Sequence, residues 1–489
     1  MRQTSSIRKL FGGAFMKNLT LSNIALVTDG KYDGPEDKRE FTVTDIVTDS
    51  RKVTKGCLFV AIRGERTDGH RFIRQVIEAG AAAVLTEKDP ETLRKEYEIP
   101  ENLEITSVTV SSTLQAVKDI AEFYLRQLNK PIVGIVGSVG KTSTKEMTAA
   151  VLSQKYRVLK TEGNFNNELG VPMTVFRMRE EDEIGVIEMG INHFGEMHRL
   201  ASIVHPNTVI MTNIGTAHLE FLKSRDGILK AKSEVFDFFS SDGHIILNGD
   251  DDKLSTIEEK SGVRPVRFGL SKEGYSHPND FYADEIEPQG LDGTKCRIIT
   301  PAGSFLVLIP LPGTHMIYNA LAGAAAGLTY GLTLDQIRSG IESCESLSGR
   351  FHIIHTGRFT LVDDCYNANP ASMKASLDIL QEGSGRRIAV LGDMGELGNE
   401  SEQLHEEVGA HAGRLKLDAI YCVGPLSKAI CRGARKTSAG RTDIRHFKTI
   451  DKFLEEVPGL FRDGDTILVK ASHYMEFGRI VTDLQKWHE

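Results

Sequence analysis

The stretch Pro131-Ile132-Val133-Gly134-Ile135-Val136-Gly137-Ser138-Val139-Gly140-Lys141-Thr142-Ser143 decides how the rest of the chain is read. Ile132, Val133, Ile135 and Val136 make a β-branched run with almost no polar relief, the pattern of a strand buried on both faces of a parallel sheet. From Thr142 the period changes, and Met147, Ala150 and Val151 fall on one face of a helix. Between strand and helix lies a glycine-rich turn whose amides can curl inward around an anion, at a helix N-terminus that adds partial positive charge. Lys141 can reach terminal phosphates and the Thr142 hydroxyl can hold a magnesium ion. Gly137, Ser138, Val139, Gly140, Lys141, Thr142 and Ser143 are therefore expected to cradle a nucleoside triphosphate. Ile135 stands where the usual loop has its first glycine, so this is the shorter form G-x-x-G-K-T. A plain strand-to-helix turn is the bland alternative, but glycine, lysine and hydroxyl fall in the right order for a phosphate loop.

The chain has 489 residues, more than one ordinary core accommodates, and two to four domains are expected. Hydrophobic residues at 40% and charged ones at 26% describe a globular protein. A formal charge of -8 argues against general nucleic-acid binding, which relies on basic surface, and turns attention to small molecules. Cys57, Cys296, Cys344, Cys365, Cys422 and Cys431 are scattered without metal-site spacing, as free thiols in a reducing compartment would be. No apolar run approaches the ~18 residues of a membrane span. The first fifteen residues lack the apolar core of a secretory signal, and Met16 is a candidate start alternative to Met1. A cytoplasmic protein is expected.

Three α/β units follow from the alternation of strand and helix patterns: residues 16–110, 111–344 and 345–489. The first is small, and its Ser50 and Arg51 stand at a strand exit where a guanidinium and a hydroxyl could hold a phosphate or a base edge, or form an ordinary solvated turn. In the second, "RVLKT", "EIGVIEMG", "NTVIMTNIG" and "GHIILNGD" read as parallel strands whose ends deliver polar groups to one rim. Glu188 follows Ile184, Val186 and Ile187 in a buried strand, where a carboxylate needs a cation or donor, and a magnesium shared with Thr142 would supply it. His218 exits a neighbouring strand. A stretch around residues 281–312 reads as antiparallel strands, and "GTHMIYNALAGAAAGLTYG" as a helix of small residues suited to close packing, with Asn319 able to read a purine edge. In the third unit Asp364 ends a strand before a helix, a common place for a ribose-binding acid.

Taken together, "TDSRKVTKGCLFVAIRGERTDGHRFI", "GSVGKTSTKEMTAAVL", "GNFNNELGVPMT", "IEMGINHFGEM", "TNIGTAHLEF", "KAKSEVF", "NALAGAAAG", "DDCYNANPASM" and "GDMGELG" resemble the Mur ligase family from Met16 onward, and within it the branch that adds a D-alanyl-D-alanine dipeptide. The short phosphate loop is shared with that family and with folylpolyglutamate ligases. The resemblance implies a small N-terminal α/β domain for a UDP-sugar, a central P-loop ATPase-like domain built on a parallel sheet, and a mobile C-terminal Rossmann-like domain for the amine substrate. It implies an ATP-dependent carboxylate-amine ligase acting on UDP-muramoyl-tripeptide, D-alanyl-D-alanine and ATP with two magnesium ions; a monomer is expected. Residue by residue, Lys141 would contact the ATP phosphates, Thr142 and Glu188 one magnesium, and His218 the second, supported by a carbamylated Lys232. Asn319 would meet adenine, Arg350 the γ-phosphate and Asp364 the ribose. Ser50 and Arg51 would serve the UDP-sugar, and Asn166 and Asn167 the muramoyl substrate. Met316, Cys365, Ala471 and His473 depart from the family's usual residues. A related ligase adding another amino acid, and a catalytically silent nucleotide-binding scaffold, are the competing readings.

Overall fold

A strand buried on both faces must be covered twice, and the strand Ile132–Val136 is. In the computed structural model, which describes residues 15–64, 67–216, 219–438, 440 and 442–487, Val133 and Ile135 point into one apolar cluster and Ile132 and Val136 into another. The strand lies inside a nine-stranded sheet, between Ile184–Glu188 and Thr208–Met211. Seven of its strands, from the Val158–Lys160 edge to Phe281–Pro288, run parallel; Thr294–Thr300 and Gly303–Ile309 close it antiparallel. After Ile132–Val136 the chain adds strands on one side, Val158–Lys160 and Ile184–Glu188, and then crosses to add Thr208–Met211 on the other. The crevice at the carboxyl ends beside such a reversal is where open parallel sheets bind ligands.

The described residues form two further sheets. The N-terminal one has five strands, in the order Lys31–Asp33, Ser107–Thr109, Ala83–Thr86, Leu58–Val60, Ile46–Val47, with Lys31–Asp33 as an antiparallel edge. The C-terminal one has six, in the order His352–His355, Thr360–Asp363, Thr466–Lys470, Arg387–Gly392, Ala419–Val423, Asp443–Phe447, parallel except for the first. Helix Thr113–Leu128 belongs physically to two of these units. Its buried Val117, Ile120 and Tyr124 share one apolar cluster with Leu58 and Leu85 of the N-terminal sheet and with Ile187 and Val209 of the central one.

On the other face of the central sheet, helix Lys141–Leu152 packs against His315–Thr329 and Leu334–Glu342. Small residues set the spacing: a Cβ on Gly340 would stand 2.5 Å from the backbone Cα of Val151 and 3.0 Å from the Ala150 carbonyl oxygen. Replacing a helical glycine by alanine gains up to about 1 kcal/mol of propensity, whereas overpacking costs about 1–3 kcal/mol. Gly340→Ala is therefore expected to be net destabilising and to lower the melting temperature in calorimetry; an unchanged or raised temperature would show that these helices are not in close contact.

Candidate functional site

The turn after Ile132–Val136 is fixed by the neighbouring strand exit. Ser138 N donates to the Asn213 carbonyl (3.0 Å), Val139 N to Asn213 Oδ1 (2.9 Å), and Thr212 Oγ1 to the Val139 carbonyl (2.7 Å). A Cβ on Gly137 would lie 1.9 Å from Thr212 Oγ1, so only glycine fits there. Gly140 is needed for a different reason: its φ of +82° is left-handed as it caps the helix. The amides of Lys141, Thr142 and Ser143 open that helix and have no carbonyl of their own helix to donate to. Ser138 Oγ is buried with no hydrogen-bond partner among the described residues. Free amides, an orphaned hydroxyl and a helix N-terminus together make a cradle for an anion.

Cationic groups converge on the same turn. Lys141 Nζ donates to the Gly137 carbonyl at 3.0 Å, and Lys232 Nζ, arriving from helix Arg225–Ser233, donates to the same oxygen at 3.0 Å. Burial lowers the pKa of both ammoniums; for Lys232 the fall is large and the proximity of Lys141 adds to it, while Glu188 partly opposes the fall at Lys141. Arg350, from the segment joining the central and C-terminal sheets, places Nη2 3.4 Å from Thr142 Oγ1.

Glu188, 2% exposed, ties the acidic side together. Its Oε2 accepts from Thr142 Oγ1 (2.9 Å), its Oε1 from Asn166 Nδ2 (2.7 Å), and its own amide donates to Thr161 Oγ1 (3.0 Å). A carboxylate and a hydroxyl side by side are hard oxygen donors of the kind magnesium takes, so this donor set fits one ion. The structure thus brings Lys141, Thr142, Glu188, Lys232, Arg350 and Asn166 together. His218 lies outside the described residues.

The remaining expected residues stand further out. Asn167 Oδ1 accepts from the amides of Leu169 and Gly170, shaping the turn into helix Gly170–Phe176. Asn319 is buried with its amide turned to the phosphate-loop helix: Oδ1 accepts from Thr144 Oγ1 at 2.8 Å, and Nδ2 meets Met316 Sδ at 3.1 Å. Asp364 accepts from Phe351 N, Ser376 Oγ and Lys470 Nζ at 3.1, 2.6 and 2.7 Å. With about four lone-pair sites on a carboxylate, one on Oδ1 is left open. Ser50 and Arg51 lie beside the N-terminal sheet, in the turn Ser50–Lys52 after the strand Ile46–Val47, where the Arg51 guanidinium folds back on Asp49 and holds that carboxyl down at about 2.

Sequence reading missed a buried support behind the site. Lys145, fully buried, donates to the Thr161 carbonyl at 2.6 Å and pairs with Glu146 at 2.8 Å, and Glu146 also holds Lys160. The signal was present: Lys145 is four residues after Lys141, hence on the same helix face. Asp363, next to Asp364, accepts from Gly349 N at 2.7 Å and Ser348 Oγ at 3.0 Å and so anchors the segment carrying Arg350.

Comparison with known proteins agrees with this layout. Residues 42–125 match the model "Mur ligase family, catalytic domain", 135–327 "Mur ligase middle domain" and 349–473 "Mur ligase, glutamate ligase domain". The chain is 37% identical to the UDP-N-acetylmuramoyl-tripeptide--D-alanyl-D-alanine ligase of Escherichia coli K12, over 96% of this chain and 99% of that one. It is 36% identical to the Bacillus subtilis protein of the same name, over 95% and 98%. A crystal structure of MurF from Acinetobacter baumannii superposes with a TM-score of 0.83 at 32% identity, over 97% of this chain and 100% of that one. MurF from Thermotoga maritima in complex with ADP superposes at 0.75 with 27% identity, over 90% and 97%. With a short phosphate loop, three sheets in this order and relatives matched nearly end to end, the chain belongs to the Mur ligase family.

Proposed function

We propose that this chain joins D-alanyl-D-alanine to UDP-N-acetylmuramoyl-tripeptide at the expense of ATP, in the cytoplasm, as a step of peptidoglycan precursor synthesis. The observation that carries the reading is the meeting of Lys141, Lys232, Glu188 and Arg350 around one anion cradle, from segments far apart in the chain. All of these groups come from a single chain, so a monomer suffices. Residues 16–110 would take the UDP-sugar, with Ser50 and Arg51 toward it, residues 111–344 the ATP, and residues 345–489 the incoming amine. Adenine would lie toward Asn319, the ribose would use the open acceptor of Asp364, and the loop with Asn166 and Asn167 would face the muramoyl peptide.

An amide cannot form directly from a carboxylate, whose leaving group would be oxide. The tripeptide carboxylate attacks the γ-phosphorus and ADP departs, giving an acyl phosphate; the dipeptide amine then attacks the acyl carbon, and the tetrahedral intermediate expels phosphate. Lys141 and Arg350 offset the negative charge that gathers as carboxylate and triphosphate approach, which is electrostatic and positioning work. Magnesium, held by Thr142 and Glu188 and, for a second ion, by His218 and a carbamylated Lys232, would neutralise phosphate oxygens. Closure of the C-terminal domain keeps water from the acyl phosphate.

The reading is tested with purified protein, ATP, UDP-muramoyl-tripeptide and a panel of amines. D-alanyl-D-alanine should give the fastest amide formation; a clear preference for a single amino acid would move the chain to another branch of the family. Lys141→Ala should lower turnover by about 10³-fold while leaving UDP-substrate affinity nearly unchanged, and near-normal turnover would remove Lys141 from the site.

Lys232 offers a second test. Burial without a carboxylate partner among the described residues favours its free amine, and a free amine adds carbon dioxide, losing a proton to become a carbamate. Supplied with ¹³C-bicarbonate, the protein should show a carbamate carbon resonance that Lys232→Ala lacks. The signal should grow as pH rises through the lowered lysine value and vanish on acidification. The same lowering makes folding more favourable as pH rises from that value toward 10.5, because there the unfolded chain holds a proton that the folded one does not. An unlabelled protein over the whole range would exclude the modification.

A further inference from the structure

Arg350 is a long side chain at a domain boundary, and something must hold its guanidinium toward the phosphate loop. Its own segment is fastened at the backbone by Asp363 and Asp364, but those bonds leave the side chain free to rotate. The aromatic ring of Tyr366 supplies the missing restraint. Tyr366 follows the strand Thr360–Asp363, and the Arg350 guanidinium carbon lies 3.9 Å from its ring centroid. The two segments are knitted together, since Tyr366 N donates to the Gly349 carbonyl at 3.1 Å and a Cβ on Gly349 would come within 3.0 Å of Tyr366 Cβ. The ring is supported in turn by His473, from the exit of the strand Thr466–Lys470, whose imidazole meets it edge-on at 5.8 Å and 74°.

The far end of Tyr366 reaches the central domain. Burial and the charge of Glu188 raise the pKa of its phenol, while Arg350 and Asn164 lower it, which puts all three groups in the surroundings of the hydroxyl. Asn164 begins the turn that carries Asn166, its carbonyl accepting from Asn166 N at 2.7 Å, and Asn166 holds Glu188. One residue at an exit of the C-terminal sheet thus lies against the arginine and near the loop that positions the buried carboxylate.

We propose that Tyr366 is a positioning residue that latches the C-terminal domain over the acyl phosphate, its ring aligning Arg350 and its hydroxyl engaging the Asn164–Asn167 loop. The proposal rests on the ligase reading above and adds a consequence that a merely structural tyrosine would not have. With the latch intact, the acyl phosphate waits for the amine; with it broken, water enters, hydrolyses the acyl phosphate to carboxylate and phosphate, and ADP accumulates without amide.

The test is the ratio of ADP to amide formed, measured with ATP, UDP-muramoyl-tripeptide and D-alanyl-D-alanine. Wild type should give a ratio close to unity. Tyr366→Phe keeps the ring over Arg350 and loses only the hydroxyl; it should raise the ratio about twofold or more with the KM for ATP little changed. Tyr366→Ala loses both contacts and should in addition lower kcat by about tenfold. If Tyr366→Ala does not fold, the phenylalanine variant decides alone. Variants that slow amide formation while keeping the wild-type ratio would overturn the latch and leave the ligase reading standing. A wild type that forms no amide from any amine would overturn both.

Discussion

The carboxylate of Glu188 is almost sealed from water, and a charge in that position is tolerated only if donors surround it. The donors come from two places, Thr142 at the start of the phosphate-loop helix and Asn166 in the next strand's exit loop, and the Lys141 ammonium nearby feels the carboxylate's charge. None of these partners is a neighbour in sequence. Satisfying one carboxylate therefore fixes helix Lys141–Leu152, the turn 161–169 and the strand Ile184–Glu188 relative to each other. The support behind them is also polar, with Lys145 clamping the Thr161 carbonyl while Thr161 Oγ1 accepts from the Glu188 amide. Removing any one of these donors would leave a buried charge short of a partner rather than merely delete a contact.

The cationic side obeys the opposite rule. Two lysine ammoniums donating to the single carbonyl of Gly137 repel one another, and burial disfavours both charges. Such an arrangement is poised for something that brings negative charge in. A triphosphate would do this for Lys141, and conversion of the Lys232 amine to an anionic carbamate would remove the repulsion altogether. The cradle is thus electrostatically incomplete by itself, while its glycines, its orphaned serine hydroxyl and its clamped backbone are already in place. Preorganised dipoles with unbalanced charge are suited to stabilising charge that develops during reaction.

What could be read from sequence divides along physical lines. The buried parallel strands were legible because they must be apolar on both faces, as Ile132–Val136, Ile184–Glu188 and Thr208–Met211 largely are. Three less buried strands escaped: Asp443–Phe447 is polar along most of its length, Val266–Gly269 is buried only in its second half, and Lys31–Asp33 has no buried residue. The turn between Ile132–Val136 and helix Lys141–Leu152 was legible because its glycine signals are local. The shared core of helix Thr113–Leu128 was not, since nothing in a helix's period says that two sheets will bury it. Of the site residues, those at strand exits could be listed one by one, but their partners could not. Asp364 read as an acid at a strand end, whereas its bonds to Phe351, Ser376 and Lys470 make it equally a fastener of the segment that carries Arg350.

That segment shows how domain position and chemistry are joined. Arg350 approaches Thr142 only because Asp363 and Asp364 hold residues 348–351 against the C-terminal sheet, and because that sheet sits beside the central one. Any outward swing of the C-terminal sheet would carry its exit acids with it, and with them the guanidinium. On the proposed assignment, the charge that offsets the γ-phosphate would then leave together with the domain that would admit the amine. A ligase that must activate an acid and yet exclude water gains from this coupling, since phosphoryl transfer is favoured only in the arrangement that also closes the site. Specificity for the amine and protection of the acyl phosphate would then share one geometric cause, the seating of the C-terminal strand exits against the phosphate-loop helix.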